Sequence, residues 1–466
     1  MEQKSRSSFS GRVGFVLAAA GSAVGLGNLW RFPYLAAQYG GGIFLLVYLI
    51  LVVTFGFALM VTEIAIGRKT RLSCIGAYKA LDKRFGFLGW IATLVPVIIT
   101  PYYCVIGGWV MKYLFTFVTG QGMTAADNGG FFDSFIGFDA GSLTATMLDF
   151  SGPTPWFLLF VLATTVVVIF GVEKGIERAS RFMMPILAVL AIFVAIYSLT
   201  IPGAMAGLKY YLLPDFSQFS LSTVLGALGQ MFYSMSLAMG IMITYGSYMK
   251  KENLLEHSVT QIEVFDTLFA FVAGLMIIPA VVAFNGGDPS QINSGPGLMF
   301  VTLPMVFESM HFGEIIGAVF FLLVLFAALT SSISLMETIV SVVMDKTHMK
   351  RKPATLVVMV IILLVGIPSC LGYGPWAAIE IIGMQFLDFF DFISNSVLMP
   401  IVAVLTCILV GHVIGTKVIA DEVKEGAGAF HREKMYHVMI RWIAPVLLVT
   451  ILVSELLTKV FHLFSI

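Results

Sequence analysis

Apolar runs of about twenty residues, separated by short polar connections, recur along the whole chain. A helix rises about 1.5 Å per residue, so a run of about 20 matches the hydrocarbon thickness of a bilayer. Eleven runs are present, near residues 12–37, 42–67, 86–117, 155–172, 182–201, 222–248, 256–284, 313–343, 353–372, 380–411 and 438–460. The pattern predicts an all-α, polytopic membrane protein with eleven transmembrane helices. Two longer polar stretches, 119–153 and 285–312, interrupt the rhythm, and the second is long enough to hold short helices.

Two of the runs are flawed in the middle. Span one contains AVGLGNLWRFPYL (23–35), with Gly25, Gly27, Asn28, Arg31 and Pro33, and Gly21 stands just before it. Span six contains GQMFYSMSLAMGIMITYGSY (229–248), where Ser234, Ser236 and Gly240 cluster at its centre. Free backbone groups are very costly in lipid, so a broken helix survives only where protein or a wet cavity surrounds it. The glycines alone would suit close helix packing, but packing requires neither Asn28 nor Arg31. Breaks at matching places in spans 1–5 and 6–10 point to an inverted-repeat transporter with its site at the breaks.

Composition sharpens the class. The chain is 58% hydrophobic and 12% charged, with 27 basic and 27 acidic residues. All but four of the lysines and arginines (Arg31, Lys112, Lys209 and Lys459) fall on one side if the spans alternate. Positive residues concentrate on the cytoplasmic side, which places the N-terminus inside, the C-terminus outside and the chain in the plasma (inner) membrane as a multi-pass protein. Zero net charge without a separate basic cluster excludes nucleic acid as a partner; the partner is the lipid bilayer. The four cysteines are scattered and predict no disulfide. No zinc-protease, hydrolase or phosphate-loop motif is present, which argues against an enzyme.

Other intramembrane polar groups mark candidate chemistry. Span seven holds Asp266, with Glu263 one turn earlier; span eight has Thr330, Ser331 and Ser332 in succession; span ten has Asp388 and Asp391 beside Asn395. Three consecutive hydroxyls cover two helix faces, so at least one points into the bundle. Hard oxygen ligands of this kind suit a small hard cation.

The stretch GFVLAAAGSAVGLGNLWRFPYLAAQYGGGIFLLVY (14–48) resembles the first-span signature of the neurotransmitter:sodium symporters, which include the bacterial leucine transporter. PYYCVIGGW in span three, KGIERASRFMMP at span five, GQMFYSMSL in span six and LTSSIS in span eight extend the resemblance over almost the whole chain. It implies the leucine-transporter-like fold, a 5+5 inverted repeat with helices 1 and 6 broken. Residues 1–11 then form a cytoplasmic gate segment, 12–201 and 202–411 the two five-helix repeats, 412–437 a cytoplasmic loop, and 438–466 the eleventh helix and external end. Family members commonly have a twelfth span.

The resemblance implies two sodium sites. The first takes the Ala23 carbonyl, Asn28, Ser234, Asp266 and the substrate carboxylate; the second takes carbonyls of Gly21, Val24 and Ala327 with the hydroxyls of Thr330 and Ser331. Gly25, where monoamine carriers have aspartate, leaves room for a substrate bringing its own carboxylate to the Leu26 and Gly27 amides and the Tyr103 hydroxyl. Ser22, Ile99, Tyr103, Tyr233, Met239, Ser332 and Leu335 are expected to form a mostly apolar side-chain pocket, with the ammonium group near Ala23, Tyr233 and Ser236 and with Ser234 and Ser331 also beside the substrate.

Asp266 departs from the usual asparagine, and Ala270 stands where chloride-dependent members have serine. The carboxylate is therefore expected to replace chloride, with Tyr48 and Gln230 beside it. The family pattern also implies Arg31 with Asp391, or its competitor Asp388, as an outer gate, and Arg6 with Asp345, near Phe9 and Tyr248, as an inner one. The Gly175 to Pro185 spacing matches a motif for local unwinding of span five. The sequence thus reads as a sodium-coupled symporter importing neutral hydrophobic L-amino acids by alternating access, without required chloride. The alternative is an amino acid sensor or sodium channel on the same bundle.

Overall fold

A computed structural model describes residues 7–138, 150–293, 295–425 and 429–459, and among these the chain is helical with no β-strand. Among the described residues, eight continuous helices are long and apolar enough to cross a membrane: Gly42–Thr70, Lys83–Val118, Val172–Leu199, Leu255–Phe284, Gly313–Thr347, Arg351–Gly372, Phe386–Val413 and Glu433–Lys459. They occupy expected spans two, three, five, and seven to eleven. Span one is the pair Arg12–Ala23 and Gly27–Gln38, bent by 45°. Span four is the 17-residue helix Pro153–Ile169, and span six is Leu221–Ser234 followed by Ile241–Tyr248.

Span five differs from its expected extent. It starts at Val172 rather than near 182, so Lys174, Arg178 and Arg181 lie on its first turns and not in a loop. Hydropathy registers only the part of a helix that lipid surrounds, and charged turns beyond it escape. The helix is continuous from Gly175 through Pro185, with a wide turn over Val172–Glu177. The segment expected to unwind is thus wound in this structure, although Pro185 leaves the Arg181 carbonyl without its helical donor.

Span three forms the centre of the bundle and span eleven its rim: 78% of the former's most apolar stretch is buried inside the protein and 22% of the latter's. Spans two and six touch backbone to backbone. A Cβ at Gly67 would lie 1.9 Å from the Ile243 carbonyl oxygen, and one at Gly246 would lie 2.3 Å from that of Ile64. Small residues allow this approach where no water drives helices together. The stretch 285–312 does contain short helices, Gly297–Thr302 and Leu303–Glu308.

Arg68, at the end of span two, is fully buried and donates to Glu422 Oε1 at 2.8 Å, to the Glu422 carbonyl and to the Asn253 carbonyl at 2.9 Å. Lys251 reaches the same carboxylate at 3.0 Å. One arginine therefore ties the connections after spans six and ten to span two. Removing one partner of a buried pair strands the other charge, at a cost of about 3–5 kcal/mol. Arg68→Met is expected to lower the Tm of the detergent-solubilised protein sharply, and Arg68→Met with Glu422→Met to recover much of the loss; equal Tm values for Arg68→Met and the parent would show that the pair contributes nothing.

Candidate functional site

Span one stops being an α-helix at Ala23, where Val24 turns extended (ψ 95°), and resumes as a wide turn at Gly27. The side chain of Asn28 closes the gap, since its Oδ1 accepts from the Gly25 N–H at 3.1 Å. Span six breaks between Ser234 and Ile241, with Ser236, Ala238 and Gly240 all at positive φ. For Ser236 and Ala238 that conformation costs about 1–3 kcal/mol each. Partners hold it in place: Ser236 Oγ donates to the Ser22 carbonyl at 3.0 Å, and the Ala238 N–H donates to Glu63 Oε1 at 2.7 Å. The two breaks therefore face and support each other.

Beside them lies a buried polar cluster. Asn28 Nδ2 donates to Asp266 Oδ1 at 2.9 Å and to Ser234 Oγ at 3.0 Å, and Ser234 Oγ donates to Asp266 Oδ1 at 2.7 Å. Tyr48 adds its hydroxyl to Asp266 Oδ2 at 3.4 Å, and Gln230 Nε2 donates to the Gly27 carbonyl at 2.9 Å. Asn28 and Asp266 are both 0% exposed. An oxygen-rich cluster with one carboxylate, sealed from solvent, has the chemistry to take a dehydrated monovalent cation.

A second oxygen-lined place lies across span one. Ser331 Oγ donates to the Ser22 carbonyl at 3.0 Å, and Thr330 Oγ1 donates to the carbonyls of Phe326 and Ala327, each at 3.0 Å. A Cβ at Gly21 would meet Thr330 Cβ and Met184 Sδ, both at 3.3 Å. Gly21 and Thr330 thus face each other, with Met184 of span five, the neighbour of Pro185, against them. Val24 belongs to the same break, its N–H donating to the Ala20 carbonyl at 2.7 Å.

Between the breaks is a small cavity. Twelve expected residues line it: Ser22, Ala23, Gly25, Leu26 and Gly27 from span one, Ile99 and Tyr103 from span three, Tyr233, Ser236 and Met239 from span six, and Ser331 and Leu335 from span eight. Ile241 also lines it, a place the sequence does not reveal because a lone isoleucine in an apolar helix carries no signal. Two expected residues point elsewhere. Ser332 donates to the Leu329 carbonyl and meets Thr164 Oγ1 at 2.9 Å, since successive helical residues lie about 100° apart and Ser331 already takes the inward face. Ser234 turns into the Asp266 cluster and does not line the cavity.

Among the described residues no charged side chain lines this cavity, and Gly25 has no space for one. A Cβ there would be 2.5 Å from Ser331 Oγ and 3.0 Å from the Tyr103 hydroxyl. Tyr103 is itself anchored, accepting from the Leu26 N–H at 3.2 Å. A Cβ at Gly27 would lie 2.5 Å from Tyr233 Cδ1, so the tyrosine ring rests directly on that glycine.

Tyr233 also borders a second chamber, farther from the N-terminus, lined by Arg31, Asp388 and Asp391. The expected ion pair is not made here: among the described residues Arg31 has no carboxylate within 4 Å and lies over Tyr233 instead, 5.6 Å from the ring centre. Asp391 is occupied by Asn395 Nδ2 at 2.5 Å and the Tyr102 hydroxyl at 3.1 Å, and Asp388 accepts from Tyr373 at 2.9 Å.

The side bearing the N-terminal segment is closed. Phe9 is fully buried among Phe15, Tyr245 and Tyr248, with ring centres 5.6, 5.6 and 6.2 Å away. Tyr248 donates to Glu337 at 2.7 Å, and Glu337 is paired with Arg351 at 2.6 Å. Ser10 is fastened to Glu177 of span five, whose other partner is Arg181 at 2.7 Å. Asp345 accepts from the Ser73 N–H at 2.8 Å, while Arg6, its expected partner, lies outside the described residues.

Three comparisons agree with this architecture. The model of the sodium:neurotransmitter symporter family matches residues 6–125 and 136–463. An uncharacterized sodium-dependent transporter of Bacillus subtilis is 36% identical over 97% of this chain and 98% of its own length, and the sodium-dependent serotonin transporter of Drosophila melanogaster is 26% identical over 98% and 77%. The crystal structure of MhsT in complex with L-phenylalanine superimposes with a TM-score of 0.86 at 39% identity, covering 97% of this chain and 100% of the other. With broken spans one and six facing each other across a cavity, a family model that matches nearly the whole chain, and sodium-dependent transporters among its relatives, the chain belongs to the sodium:neurotransmitter symporter family.

Proposed function

We propose that this sodium-dependent transporter imports neutral hydrophobic L-amino acids by alternating access. The observation that carries the reading is the uncharged, largely apolar cavity at the two breaks, with Gly25 packed too closely for any side chain. A substrate must therefore bring its own carboxylate and present a side chain that needs no counter-charge. The phenylalanine in MhsT is such a molecule. Its carboxylate would meet the Leu26 and Gly27 amides and Tyr103; its ammonium would meet carbonyls near Ala23, Tyr233 and Ser236. Ile99, Met239, Ile241 and Leu335 would receive the side chain, and the flexible Met239 would accommodate several shapes.

Two sodium ions are co-transported in this reading. The first is held by the Ala23 carbonyl, Asn28, Ser234, Asp266 and the substrate carboxylate; the second by carbonyls of Gly21, Val24 and Ala327 with Thr330 and Ser331. The Asp266 carboxylate, buried among Asn28, Ser234 and Tyr48, supplies a fixed negative charge and makes chloride unnecessary. Spans one to five and six to ten act as the two repeats. The N-terminal segment faces the cytoplasm and the Arg31 chamber the outside of the plasma membrane, so the structure is closed inward. Inward movement of net positive charge gains about 2.3 kcal/mol per charge per 100 mV.

Ligand that binds only the native state stabilises it by RT ln(1 + [L]/Kd), about 2.7 kcal/mol at 100 Kd. L-Phenylalanine and other hydrophobic amino acids are expected to raise the Tm in sodium chloride and in sodium gluconate, but not in potassium chloride. A response lost in gluconate would reject the Asp266 argument, and an equal response in potassium would reject sodium coupling. Asn28→Ala removes a donor from a buried carboxylate and is expected to abolish most of the sodium-dependent stabilisation; a full response would move the first sodium away from this cluster. Gly25→Asp is expected to eliminate amino acid binding, and retained binding would refute the substrate argument.

Release of the second sodium inward requires water to reach Thr330, and Met184 with the neighbouring Pro185 stands in the way. Local unwinding of span five opens that path. Pro185→Ala restores the missing backbone bond and is expected to slow sodium release to the inside in stopped-flow proteoliposome measurements, whereas an unchanged rate would exclude the path through span five.

A further inference from the structure

Span eleven sits at the rim of the bundle, yet it turns an acid inward. Glu455 lines a small cavity with Arg31, Tyr233, Asn395 and Ser396. Its Oε2 accepts from Ser396 Oγ at 3.0 Å and lies 3.5 Å from Lys459 Nζ, one turn on. A carboxylate carried inward on a rim helix calls for a functional explanation, because lipid-exposed positions offer it no support.

Arg31 stands in the wall between two spaces. One is the outer chamber with Asp388, Asp391 and Lys459; the other holds Glu455. The guanidinium passes over Gly229, whose absent side chain leaves Nη2 3.8 Å from where a Cβ would be. Asp391 lines the first of these spaces with it and Glu455 the second. They are also mechanically linked, for Asn395 binds Asp391 and the next residue, Ser396, binds Glu455, both within the wide turn Phe392–Leu398 of span ten.

We propose that Glu455 is a further gating residue which competes with Asp391 for Arg31, and that Lys459 sets the strength of this competition. Closing the outer gate moves Arg31 towards Asp391. Glu455 pulls it the other way and holds the chamber open until substrate and sodium draw span one inward. Lys459 partly neutralises Glu455 and so weakens that pull. The two substitutions therefore have opposite consequences: Glu455→Gln favours the closed outer gate, and Lys459→Gln favours the open one. A merely structural pair would change both in the same sense, because each substitution breaks the same contact.

The inference rests on the alternating-access reading, and one reporter separates the two. Ile106 lines the outer chamber and is 3% exposed, so Ile106→Cys should react with a membrane-impermeant thiol reagent only as the chamber widens. The reaction rate is measured in intact cells, in sodium and in potassium, with and without L-phenylalanine. A response of the Ile106→Cys parent to these ligands tests the transport cycle. The rate in each double variant, relative to that parent, tests Glu455. Glu455→Gln is expected to slow labelling, and Lys459→Gln to accelerate it, each by roughly two- to fivefold as suits an incompletely desolvated ion pair. An unchanged or faster rate for Glu455→Gln, or shifts of both variants in one direction, would overturn the proposal. Purified Glu455→Gln should keep the Tm of the parent to within a few degrees; a collapse in Tm would assign Glu455 to folding and overturn it as well.

Discussion

Everything at the centre of this protein follows from the intolerance of a membrane interior for unpaired backbone groups. Two helices are broken there, and several of the freed groups take partners from the same break, from the other break or from a neighbouring span. Asn28 receives the Gly25 N–H, Glu63 receives that of Ala238, and the Ser22 carbonyl accepts from both Ser236 and Ser331. These bonds fix where the two breaks meet. The cavity, the Asp266 cluster and the oxygen group around Thr330 are three sides of that one meeting place.

Span one touches all of them. Through Gly25 it sets the size of the cavity, through Asn28 it satisfies the buried acid, and through Gly27 and Arg31 it holds Tyr233 on two sides. Its near end continues into Phe9 and Ser10, which plug the N-terminal side and bind Glu177 of span five. A displacement of span one would therefore be felt at the Asp266 cluster, the tyrosine partition and the plug together.

Much of this was legible in the sequence because the anomalies were chemical. Glycine, asparagine and arginine inside an apolar span, and three hydroxyls in a row, cannot be absorbed by lipid, and the structure brings them together. The errors arose where a residue's direction mattered more than its type. The sequence expects Ser332 in the pocket, but the helical turn gives that face to Ser331; Ile241 carries no signal because it resembles its apolar neighbours. The start of span five was hidden by the charged turns that carry it beyond the bilayer. The separation of Arg31 from Asp391 follows from the partners each has found, Tyr233 for the one and Asn395 with Tyr102 for the other, which composition does not encode. Glu455, on a span that resembles a plain lipid-facing helix, acquires meaning only through its distance to span ten.

On the proposed function, the cavity carries a hydrophobic amino acid across the membrane at the expense of a sodium gradient. The direct measurement is accumulation of labelled L-phenylalanine by proteoliposomes containing the purified protein, with an inward gradient of sodium or of potassium and an imposed negative interior potential. Concentrative uptake in sodium gluconate, absent in potassium and enhanced by the potential, is the result this account predicts. Sodium-dependent binding without any accumulation would contradict it and leave a sensor on the same bundle.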